Sequence, residues 1–167
     1  MSVHKITRIA LLSAILYIAK IVLDFLPNVE LISLLTILFT LVFGKEAFII
    51  VTVFNLFQFI QWGFGTWLIS YFYVWPLLCL LTLLVKKIFK EEFVWWAVFA
   101  GAFGLIFGAL FAVLYLVMGD PGYALSYWIS GLLWDVWHAA ANFILMLVLG
   151  KPLYRVLRRI KIQEMNK

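Results

Sequence analysis

Six runs of apolar side chains, separated by only a few polar residues each, leave this chain little choice of surroundings. They cover about Ile6 to Leu26, Glu30 to Phe43, Glu46 to Gln61, Thr66 to Val85, Phe93 to Met118 and Tyr123 to Leu149. A backbone placed in hydrocarbon has to satisfy its own N–H and C=O groups, and within one segment only a helix does so. Composition settles whether lipid is needed. The chain is 66% hydrophobic and 13% charged, whereas soluble domains run at about 45–50% apolar and about 25% charged. The expectation is therefore an all-α integral membrane protein, one domain over residues 1–167 with six transmembrane helices. Crossing ~30 Å of hydrocarbon takes ~20 helical residues. The first, fourth, fifth and sixth runs reach that length, and the sixth can continue past Leu149 as a basic tail. The second and third are short, which predicts local thinning of the bilayer or an irregular segment. No repeat, low-complexity tract or linker divides the chain, and its start does not read as a removable signal peptide.

Charge placement orients the spans. Of the 13 Lys and Arg residues, all but Lys20 fall in or beside segments 1–5, 44–45, 86–92 and 150–167. They are Lys5, Arg8, Lys45, Lys86, Lys87, Lys90, Lys151, Arg155, Arg158, Arg159, Lys161 and Lys167. The alternate connections, 27–29, 62–65 and 119–122, carry none. Basic residues gather on the cytoplasmic side of membrane proteins, so both termini are expected in the cytoplasm. Lys20 breaks the pattern, but Asp24 one turn later can pair with it. A re-entrant hairpin of the second and third runs would carry Lys45 and Glu46 into lipid, which disfavours it. Trp62, Trp67 and Trp128 at one set of boundaries, with Trp95 and Trp96 at the other, read as aromatic belts. The net charge of +5 is thus topogenic, and no nucleic-acid partner is expected.

Catalytic motifs are missing. Gly44-Lys45 and Gly150-Lys151 lack the upstream glycine and following hydroxyl of a phosphate-binding loop. HExxH, CxxC and GxSxG do not occur, and Cys79 has no Cys or His at metal-ligand spacing. The chain is expected to be no enzyme and to hold no metal or cofactor, so any ATP-driven step belongs to a partner.

Polar side chains inside the apolar runs are the informative residues. Asp135, His138 and Asn142 lie at i, i+3 and i+7, on one helical face. A mid-helix Asp costs roughly 2.5–3.5 kcal/mol on insertion scales, so it should face a cavity or a partner. Direct ligand contact, a clasp between helices and a proton relay all fit. Asn55, Gln58, Gln61 and Trp62 form a second stripe, suited to a ligand or to interhelical hydrogen bonds. Trp67, Tyr71 and Trp75 recur at helical spacing and, with Trp128, suit either the wall of a pocket or plain packing. In the connection Phe25–Glu30, Asn28 and Glu30 are ligand candidates, although Glu30 also suits the positive end of the next helix. Ala10-x-x-x-Ala14 lets another helix approach closely, and Gly101, Gly104 and Gly108 give the fifth run a smooth side.

This combination resembles the substrate-binding S component of energy-coupling factor (ECF) transporters, the vitamin importers. The likeness covers nearly the whole chain: size, six spans, topology, Ala10-x-x-x-Ala14, the stretch Pro27-Asn28-Val29-Glu30-Leu31-Ile32-Ser33-Leu34-Leu35, and Phe39-Thr40-Leu41-Val42-Phe43-Gly44. The resemblance implies a bacterial cell-membrane location, a transmembrane coupling subunit and two cytoplasmic ATPases. Ala10 and Ala14 would dock on that subunit. Substrate would sit in the outer half beneath the first connection, and the loaded protein would topple to release it inward. An aromatic pocket with a few polar groups suits a compact pyridine- or pyrimidine-type vitamin or precursor. Two other classes compete. A non-transporting scaffold of the cell-shape type predicts packing without a ligand, and a small proton-coupled secondary transporter would use Asp135 and His138 without ATPase partners.

Overall fold

The computed structural model describes residues 2–165, so Lys167 lies outside the described residues. Among these there are seven α-helices and no strand: α1 (Val3–Val22), α2 (Ile32–Phe43), α3 (Glu46–Trp62), α4 (Thr66–Phe89), α5 (Phe93–Leu105), α6 (Phe107–Val117) and α7 (Pro121–Met165). Three helical stretches are long and apolar enough to cross a membrane: Thr66–Phe89, Phe93–Val117 and Pro121–Glu164. The helices α2 and α3 are apolar but shorter. The α1 helix has the length but includes Lys5, Arg8 and Lys20. Leu84, Ile88, Val117 and Leu133 are 64–78% exposed. So much outward apolar surface is unusual for a protein in water and is compatible with a membrane protein.

The short α2 is the buried centre of the bundle. It touches α1, α3, α4, α5 and α7, and 11 of its 12 residues are buried. A helix apolar all round belongs inside, and Thr40 donates its hydroxyl to the Thr36 carbonyl, 2.7 Å away, so that polar group is satisfied. At Gly44, with φ +64°, the chain turns back into α3; this left-handed backbone favours glycine. Along α3 lies α1, which buries Ile9, Leu12 and Leu16. Ser13 bridges the two helices by donating to the Ile50 carbonyl at 3.0 Å. On α1, Ala10 is left exposed and Ala14 half-buried.

The fifth run departs from the sequence expectation: it is two helices, broken at Ile106 (φ −96°, ψ 4°). Gly104 and Gly108 flank the break, and the broken turn leaves the Gly108 N–H without a helical acceptor. Asp135 takes it, at 2.9 Å. The expected smooth side is present. A Cβ on Gly104 would lie 2.9 Å from the Ala139 backbone, and one on Gly101 3.3 Å from the Ala139 carbonyl oxygen. The sixth run continues as α7 well beyond Leu149, through the basic tail. At ~1.5 Å per residue its 45 residues reach further than ~30 Å of hydrocarbon. Leu153, Tyr154 and Leu157 keep the extension packed on the core. The first helix stops at Val22 rather than Leu26, because residues 23–31 fold into a connection across one end of the bundle.

The basic segments meet at the other end. Arg8 bridges Glu46, at 2.6 Å, and Glu164, while Lys5 reaches Glu46 at 3.1 Å. Lys161 donates to the Val42 carbonyl at 2.6 Å, and Arg158 pairs with Glu91 at 2.7 Å. Lys20 lies away from this end and pairs with Asp24 at 2.7 Å, as its spacing predicts. Trp96 corrects one belt assignment: it is fully buried, and its indole N–H donates to the Lys90 carbonyl.

Candidate ligand-binding cavity

At the end opposite the basic segments, a cavity of about 590 Å³ opens between α4, α6, α7 and the 23–31 connection. Its α7 wall is one helical face: Tyr127, Gly131, Trp134, Asp135 and His138 recur at the spacing that stacks side chains along one side. The break at Ile106 turns the first residues of α6 toward that face, so Phe107, Gly108 and Phe111 form the second wall. Tyr71 closes the α4 side, and Pro27 and Asn28 form the rim. Asn28 has φ +56°, a conformation that Asn tolerates better than most residues. Its Nδ2 donates to the Trp134 carbonyl at 3.4 Å, which ties the connection to α7.

Asp135 dominates the electrostatics. One carboxylate oxygen accepts from Gly108 at the start of α6, where the helix end carries partial positive charge. The second, Oδ2, is buried with no hydrogen-bond partner, and the residue is only 5% exposed. This approach requires glycine at 108, since a Cβ there would lie 2.5 Å from Oδ2.

The polar stripe on α7 divides among three partners. His138 does not pair with Asp135: its Nε2 lies 3.2 Å from Glu30 Oε1 and its ring packs on Phe107, with 4.7 Å between centroids. Glu30 also accepts from the Ser33 hydroxyl at 2.9 Å, and Asn142 donates to that hydroxyl at 3.3 Å. Glu30 therefore links α7 to the start of α2 through side chains instead of capping the α2 backbone. Replacing His138 with Ala is expected to leave the Glu30 carboxylate without its α7 contact, at a cost of about 1–3 kcal/mol. Faster amide exchange across residues 23–31, with α3 and α4 unchanged, is the readout.

Of the residues singled out in the sequence, Asn28, Tyr71, Asp135 and His138 line the main cavity. Glu30 borders a smaller one of about 80 Å³, next to Lys20, which adjoins the main cavity through Asn28, Tyr71, Phe107 and His138. Trp67 faces a separate hollow of about 350 Å³ with Lys20, Asp24, Gln58 and Trp62. Trp75 is fully buried behind the wall, 5.4 Å from the Tyr71 ring and 5.6 Å from Phe107. Trp128 lies in a groove on the outer side of α6 and α7, and Asn142 is buried in the packing beneath. The α3 stripe mostly joins helices: Asn55 donates to the Tyr71 carbonyl at 3.1 Å and Gln61 accepts from the Tyr17 hydroxyl at 3.0 Å. Phe107, Phe111, Tyr127, Ser130 and Trp134 also line the cavity, although sequence reasoning does not single them out. The α7 members share the Asp135 face, a signal that is legible; the α6 members depend on a break that nothing local announces.

Among the described residues, no three His, Cys, Asp or Glu side chains group as metal ligands. The chain matches no protein-family model, no curated protein and no solved structure.

Proposed function

We propose that this protein is a six-span S component of ECF type in a bacterial cell membrane, with both termini cytoplasmic. It captures a compact vitamin-like heteroaromatic solute from outside and passes it inward with a coupling subunit and two ATPases. The observation that carries the reading is the cavity itself: aromatic walls from three helices enclosing a buried carboxylate, at the end of the bundle away from the basic segments. A largely apolar pocket with few polar groups is the usual design for small-molecule capture. Its volume of about 590 Å³ falls within the ~300–1,000 Å³ of such sites. Under the positive-inside rule, the clustering of Arg8, Arg158 and Lys161 around Glu46, Glu91 and Val42 supports an outward-facing cavity. The exposed Ala10 and half-buried Ala14 support docking of a partner helix on α1.

The test is co-expression of the full chain with an ECF coupling subunit and its two ATPases, followed by purification through the ATPases. Co-purification is expected, along with ATP-dependent uptake of a pyridine or pyrimidine vitamin into vesicles. Replacing Ala10 and Ala14 together by Leu is expected to abolish co-purification while ligand binding by the isolated protein persists. Solute uptake that runs without the ATPases would instead establish a secondary transporter, and an isolated protein that binds no solute would establish a scaffold.

A further inference from the structure

We infer that the solute this cavity takes is an organic cation, with Asp135 as its counter-ion; the inference rests on the proposed capture function and concerns the charge of what is captured. Among the cavity-lining residues there is neither Lys nor Arg. Asp135 is 5% exposed and its Oδ2 has no partner. The start of α6 offers the other oxygen one N–H, at 2.9 Å, and a helix end supplies roughly +0.5 elementary charge. The carboxylate is thus only partly compensated. A buried charge is stable when paired and hydrogen-bonded, and a ligand bearing a full positive charge completes the pairing where a neutral donor does not. His138 does not supply the missing charge to Asp135, since its Nε2 lies 3.2 Å from Glu30 Oε1 and it makes no hydrogen bond to Asp135.

The walls agree with the floor. Tyr71, Phe107, Phe111, Tyr127 and Trp134 surround the same space, and aromatic faces attract cations within about 6 Å of the ring centre. The same donor set argues against an inorganic ion. Calcium and magnesium take about six to eight oxygens and keep their geometry or their water, whereas this cavity offers a single carboxylate, with Asn28 and Ser130 the other non-aromatic side chains that carry oxygen. The wider field also has the right sign. Among the described residues, Asp24, Glu30, Asp120 and Asp135 lie toward this end against Lys20 alone, while Lys5, Arg8, Arg158 and Lys161 gather at the opposite end. A mouth of one sign with low-dielectric walls concentrates the opposite charge.

Three probes of nearly the same shape separate charge from fit: 1-methylnicotinamide (cation), nicotinamide (neutral) and nicotinate (anion). Each is titrated into the full-length protein in lipid nanodiscs and followed by calorimetry. The cation is expected to bind at least about tenfold tighter than the neutral amide, with the anion weakest. Asp135→Asn keeps an oxygen for the Gly108 N–H, so it preserves the α6 cap while removing the charge. In D135N the cation should fall to the affinity of the neutral probe. Should D135N fail to fold, the order of the three probes on the unaltered protein decides the matter. The inference is overturned if the neutral or anionic probe binds as well as the cation, if the preference survives in D135N, or if none of the three binds by about 10 mM. Assembly with the coupling subunit is scored separately. A cation preference without assembly sinks the transporter reading alone, and assembly without the preference sinks this inference alone.

Discussion

Gly131→Leu is expected to weaken solute capture sharply while leaving the helix bundle at least as stable as the unaltered protein. Gly131 lines the main cavity, and a Cβ built on it meets nothing within 4 Å. The added side chain therefore projects into empty space, where it occupies the volume a solute needs. Removing glycine from a helix interior also stabilises it, by about 0.5–1 kcal/mol. Affinity for the solute should fall by a factor on the order of 100, equivalent to about 2.7 kcal/mol, while the melting temperature holds or rises. A variant that still binds normally would show that the solute sits elsewhere. A variant that melts early would show that the space is closed in the folded protein.

The opposite outcome is expected at a glycine on the facing helix. Gly104→Val should destabilise the bundle severely, because its Cβ would meet the Cα and N of Ala139 at 2.9 Å. Those are backbone atoms, so no rotamer change relieves the clash, and α5 must separate from α7. Overpacking of this kind costs about 1–3 kcal/mol, and more where backbone has to move. Thermal or denaturant melts of the purified protein measure it directly. Equal stability of Gly104→Val and the unaltered protein would mean that α5 and α7 do not pack as closely as described. The pair of variants separates two uses of glycine that a sequence cannot tell apart: at 104 it admits another helix, and at 131 it leaves room.

How much of the cavity is legible in the sequence depends on how local its causes are. Asp135 and His138 stand out because a charged or ionisable group in an apolar helix is costly unless something compensates it. Their i, i+3 spacing suffices to place them on one face of that helix. Their partners are not legible. Nothing in Glu30 or Ser33 announces that His138 and Asn142 will meet them across more than a hundred residues of chain. The aromatic ladder Trp67, Tyr71 and Trp75 has correct helical spacing, yet only Tyr71 reaches the main cavity. Spacing assigns residues to a side of α4, but the neighbours packed there decide which of them meets space and which meets another ring.

The break at Ile106 shows the same limit more sharply. The run Phe93–Met118 is apolar throughout, with Gly101, Gly104 and Gly108 near its middle, and a continuous helix is the natural expectation. In the folded chain the interruption is stabilised from outside, by an Asp135 carboxylate 27 residues later that accepts the freed Gly108 N–H.

The apolar runs, their helical state and the segregation of positive charge were determined by the sequence alone, because each depends on side-chain transfer energies and backbone hydrogen bonding within a short stretch. The tertiary structure alone decided that α2 would be the buried centre, that α6 would start afresh at Phe107, and that a cavity would remain beside Asp135. Those outcomes depend on contacts between residues far apart in the chain, where the fit of two surfaces governs which polar group is satisfied and which is left without a partner.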